Sequence, residues 1–163
     1  MRLERCQRRR GAAAVLAAFQ TNAIDADISV TSNVFNWEEK HQGRLVAPAS
    51  DFVGNIAAST TYASQHFIDS NPDALKRFLA AWLETIDYLV AHKAETVKIE
   101  SKITNFSEDV MSQEYDLVIG MYVKDCRFDT ESLATLKASF VELKLLDSEP
   151  DMTKLYTEAY LPK

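Results

Sequence analysis

The chain has 163 residues, enough to bury the core of one domain. Its net charge of −6 argues against a nucleic-acid-binding surface, and no uninterrupted apolar run is long enough to span a bilayer. Glycine and proline are scarce while Ala, Leu, Glu and Lys are plentiful, so a helix-rich fold is expected.

The arginines at positions 2, 5, 8, 9 and 10 precede an apolar run from Ala12 to Phe19. Charge followed by a short apolar core is the pattern of a secretory signal, but Glu4 interrupts the basic start and no small-x-small site closes the run. The preferred reading is an ordinary helix from about Gly11 to Asn22, with Val15, Leu16 and Phe19 inward. Ala26 to Thr31 alternates and is β-branched, which predicts a strand with Ile28 and Val30 on one face. Ser32-Asn33 offers a cap for a helix carrying Phe35 and Trp37, with Gly43 as its stop. Arg44 to Ala47 reads as a short strand ended by Pro48. Asn55 to Tyr62 reads as another strand, leading into a helix over Ala63 to Asp69. This alternation predicts an α/β layer arrangement over residues 1–70.

From Asn71 the pattern turns helical. Asn71 is placed to cap a helix, Pro72 suits the first helical position, and Asp73 complements the helix dipole. Leu75, Phe78, Leu79, Trp82, Ile86, Leu89 and Val90 form one apolar stripe, so Phe78 and Trp82 are expected to be buried. Further helices are expected over Ala94 to about Asn105, from a Ser107 cap with Val110, Met111, Leu117, Val118 and Met121 buried, and from a Thr130 cap with Leu133, Leu136, Phe140, Val141 and Leu143 inward. A last short helix is expected over Met152 to Tyr160. Residues 71–163 thus form a helical segment, with no flexible linker marking an independent domain.

No phosphate-loop, dinucleotide-binding, nucleophile-elbow or zinc-protease motif occurs. Cys6 and Cys126 lack metal-ligand spacing and read as free thiols. His41, His66 and His92 are scattered and read as solvated, and Glu38-Glu39 and Glu108-Asp109 read as helix-start charges. No nucleophile, base and orienting group assemble, so the residues make no positive case for an enzyme or for a cofactor. Ligands of open α/β sheets bind beyond strand ends, against helix N-termini. Ser32 and Asn33 follow a predicted strand at a helix start, with Phe35 and Trp37 close enough to wall a pocket. Gly11 and Ala12 open an earlier helix with bare N–H groups, and Ser59 to Thr61 is polar within a predicted strand. The alternative for each is structural: a cap, a core aromatic, a solvated turn.

Four segments then resemble one family in the same order. Gly11 to Ala26, which includes Thr21-Asn22-Ala23-Ile24-Asp25-Ala26, looks like the helix, turn and strand of type 2 periplasmic substrate-binding proteins of the nitrate/sulfonate/taurine ABC-transporter group, whose relatives bind thiamine-pyrimidine precursors. Asn22 or Ala23 stands where the family has a turn glycine, and Asn tolerates the left-handed backbone. Glu38 to Gly43 resembles the following helix. Phe67-Ile68-Asp69-Ser70-Asn71-Pro72-Asp73-Ala74 is similar to the family's "F-I-x-x-N-P-D-A" segment, and Met152 to Leu161 to its closing helix.

The resemblance implies a type 2 periplasmic-binding α/β fold, here incomplete. Residues 1–70 would belong to the second lobe with its crossover, and 71–163 would return to the first lobe, whose opening strands this truncated chain would lack. It also implies a periplasmic solute-binding component with a small-molecule ligand and a membrane permease as partners, and no nucleic acid. By position, Gly11, Ala12, Ser32, Asn33 and Ser59 would face the ligand. A pyrimidine-precursor synthase-like enzyme and a helical interaction module are the alternatives.

Overall fold

A computed structural model describes residues 11–57 and 59–162; the arginine-rich opening and Cys6 lie outside them. The described residues form α1 (Ala12–Gln20), α2 (Thr31–Glu39), α3 (Gln65–Ser70), α4 (Pro72–Ala91), α5 (Lys93–Thr104), α6 (Glu108–Val118) and α7 (Thr130–Glu142), with short 3-10 turns at Ala49–Asp51, Ile119–Met121 and Met152–Lys154. None of these helices is long and apolar enough to cross a membrane. They fall into two compact units. One holds the described residues up to Val46 together with Lys93–Gly120; the other holds Ala47–His92 and the residues from Met121 onward.

The expected α/β architecture is corrected. Among the described residues there is no strand, so residues 11–57 and 59–70 carry helices and irregular segments where a sheet was expected. The stretches at 26–30, 44–47 and 55–62 have strand-like patterning, but β structure is stabilised by ladder hydrogen bonds and cross-strand side-chain pairs rather than by local preference. No partner strand lies beside them in the described structure, and Ile28, placed on a buried strand face by its alternation, is 93 % exposed.

The first unit is built around α2. Residues two apart on a helix point about 200° from each other, so Phe35 and Trp37 face opposite ways. Trp37 is buried, with the Phe19 ring of α1 edge-on to it at 6.0 Å. Phe35 packs with Phe106 and Ile119 on the core of Val97 from α5 and Val110, Met111 and Tyr115 from α6. Val110 and Met111 are almost wholly enclosed. Ser107 caps α6 as expected: its Oγ accepts the Val110 N–H at 3.1 Å and donates to Glu39 Oε1 at 2.5 Å, which ties the end of α2 to the start of α6. Leu117 and Met121, expected on the buried side, are exposed.

Helix ends are closed largely without glycine. After α1, Asn22 has φ 54° and its N–H donates to Phe19 O, while Ala23 N–H donates to Ala18 O at 2.8 Å. This double bond is the Schellman closure. The same pair of bonds follows α2 at His41 and Gln42, and α7 at Lys144 and Leu145, with His41 and Lys144 in the left-handed region. The stop of α2 is therefore His41, two residues before the expected Gly43.

In the second unit, Asn71 ends α3 and starts α4: its N–H donates to Phe67 O and its carbonyl accepts from Leu75 N–H. Pro72 is at the first helical position as expected, but the Asn71 side chain makes no capping bond. Ile86 is buried, whereas Phe78 is 50 % and Trp82 38 % exposed, with their rings stacked at 6.4 Å. Their expected burial is thus corrected. The cap of α7 is Asp129, one residue before the expected Thr130. Its Oδ2 accepts both the Ser132 N–H at 2.7 Å and the Asn55 side-chain amide at 3.0 Å. Asp129→Ala should therefore destabilise this unit by about 1–2 kcal/mol in urea unfolding, while Asp129→Asn, which keeps an acceptor, should cost about half that or less.

The closing helix expected over Met152 to Tyr160 contracts to the turn at Met152–Lys154. Asp151 accepts both the N–H and the hydroxyl of Thr153, a local bond that competes with helix continuation. Glu158 is drawn away instead: it accepts the Phe128 N–H at 2.9 Å and pairs with Arg127 at 2.7 Å, while Phe128 packs on Tyr156.

Candidate functional site

Five of the six candidate residues lie in the first unit, on two helix starts. Gly11 is the N-cap residue of α1 and Ala12 its first helical residue; no side chain caps this end. A Cβ added at Gly11 would meet nothing within 4 Å, so its surroundings are open. The helix bearing Ser32 and Asn33 starts earlier than expected, with its cap two residues before Ser32. Val30 occupies its N-cap in extended conformation, so Ser32 and Asn33 sit in the first turn rather than at the cap. Here too no side chain caps the end. Asn33 donates its side-chain amide to Ser29 Oγ at 3.4 Å, a weak bond within the same turn. Phe35, one turn on, is partly buried against the α5–α6 core. Ser59 belongs to the second unit, on an exposed stretch outside any helix.

Side-chain capping divides the helix starts into two groups. Ser64, Ser107 and Asp129 each accept a backbone N–H at the starts of α3, α6 and α7. At α1, α2 and α4 no cap side chain accepts a first-turn N–H, so the positive end of the helix dipole there is met by no such group. Of these, α1 and α2 are anchored to each other by Phe19 and Trp37. Chemically each start provides backbone donors, and that of α2 adds the Thr31 and Ser32 hydroxyls and the Asn33 amide; such groups can hold an anion or a polar heterocycle.

At the opposite end of α2, Glu38, His41, Gln42, Gly43 and Arg44 line a wide, open depression of about 550 Å³. The Glu38 carboxylate there is occupied by the Leu45 N–H at 2.6 Å. These residues read from the sequence only as a helix end, and the turn at His41, with its left-handed backbone, is what gathers them.

Titratable groups with displaced pKa lie away from the helix starts. Burial, reinforced by the charge of Glu114, pushes Glu100 of α5 above the usual carboxylate range. The folded state then binds the extra proton between the ordinary and the raised value, so stability falls as pH rises through that window. Glu100→Gln should raise the thermal midpoint at about pH 7 and leave it unchanged at about pH 3, as differential scanning calorimetry would read. Burial, with Asp125 nearby, likewise pushes the Cys126 thiol up, opposite to the direction that activates a nucleophilic cysteine. Among the described residues no three His, Cys, Asp or Glu side chains stand close enough to hold a metal ion.

A family model described as NMT1/THI5 like matches residues 9–96, more than half of the chain, covering α1 to α4 and the start of α5. No curated protein and no solved structure matches it.

Proposed function

Because the chain belongs to the NMT1/THI5-like family, that of nitrate, sulfonate and taurine ABC-transporter substrate-binding proteins and their thiamine-precursor-binding relatives, we propose that it is the solute-binding component of an importer. Its ligand in this reading is a small anionic or heterocyclic solute, its partner a membrane permease, and its compartment the periplasm. The observation that carries the reading is the family match itself, which runs through the starts of α1 and α2. Synthases also occur among the thiamine-precursor relatives.

In this reading the N–H groups at Gly11–Ala12 and at the first turn of α2 hold the ligand's oxygens, with the Ser32 hydroxyl and the Asn33 amide as further donors. Phe35 anchors the α2 turn to the core rather than touching the ligand itself. Ser59 is a further ligand-facing position by resemblance. No bond is made or broken; capture requires only differential affinity.

The test is thermal shift against nitrate, taurine, methanesulfonate and an aminopyrimidine. A ligand at one hundred times its Kd stabilises the folded chain by about 2.7 kcal/mol, a rise easily read. Asn33→Asp, which places a carboxylate in the α2 turn, should abolish the rise for an anion while leaving the unliganded midpoint within about 0.5 kcal/mol. If none of the four solutes shifts the wild-type midpoint, or if Asn33→Asp binds as well as wild type, the proposed role of these helix starts is wrong.

A further inference from the structure

We draw no further inference here: the strongest candidate, the open apolar stripe of α4 with its stacked Phe78–Trp82 pair, has nothing in the structure that shows what covers it.

Discussion

Trp37→Ala is expected to lower stability by about 3–5 kcal/mol, the range for removing a buried aromatic side chain. Trp37 is the contact through which α2 holds α1: its ring meets Phe19, and its Cβ lies 3.7 Å from the Cβ position that Gly43 would carry. The bonds of Thr21, Asn22 and Ala23 at the end of α1 all run back into its own helix, and a nine-residue helix alone is marginal in water. Losing Trp37 should therefore free α1, and far-UV circular dichroism should show lost helicity before the main unfolding transition. Trp37→Phe, which keeps an edge for Phe19 to meet, should cost less than half as much. A Trp37→Ala loss below about 1 kcal/mol would mean that the pair contributes little and that α1 is held by something else. The same variant bears on the proposed ligand role, since the starts of α1 and α2 keep a fixed relation only while this contact persists.

How much of this was legible follows from how local each signal is. Ser107 as a cap, with Glu108 and Asp109 behind it, and Pro72 at the head of α4 were readable because capping is settled within four residues. The cap of α2 stands at Val30, two residues before Ser32, because Thr31, β-branched and at the end of an alternating run, joins the helix while Val30 stays extended. The helix stops at His41 and Lys144 carry no local signal, because neither is glycine, the residue that marks a left-handed turn in a sequence. The strand predicted over Ala26 to Thr31 rested on alternation and β-branching, which say that a segment fits a pleated half-buried surface, not that such a surface is present. The likeness of Gly11 to Ala26 and of Phe67 to Ala74 to the family came through regardless, because it rests on residue identities and not on pairing. The candidate residues at Gly11, Ala12, Ser32 and Asn33 were singled out by position relative to helix starts. The structure does place them at helix starts, and whether a ligand sits there is the question the solute panel answers.

Met111→Ala should cost about 2–5 kcal/mol, because Met111 is 1 % exposed at the meeting of α5 and α6 and its removal leaves a void that rigid neighbours cannot close. Its sulfur also lies 3.5 Å from the Thr104 hydroxyl oxygen, so truncation removes a contact of the α5 end. Met111→Leu keeps the volume and should cost less than about 1.5 kcal/mol. The informative comparison is Phe78→Ala on α4. Phe78 removes as much apolar surface on paper, but half of it faces solvent, and its ring neighbour is Trp82, itself partly exposed. Free energy follows area removed from water, so Phe78→Ala should cost no more than about 1.5 kcal/mol. Urea unfolding of the two alanine variants measures the difference directly. If Phe78→Ala proves as damaging as Met111→Ala, the α4 stripe is covered in solution, and the core of the second unit extends beyond Ile86 and Leu133 to include it.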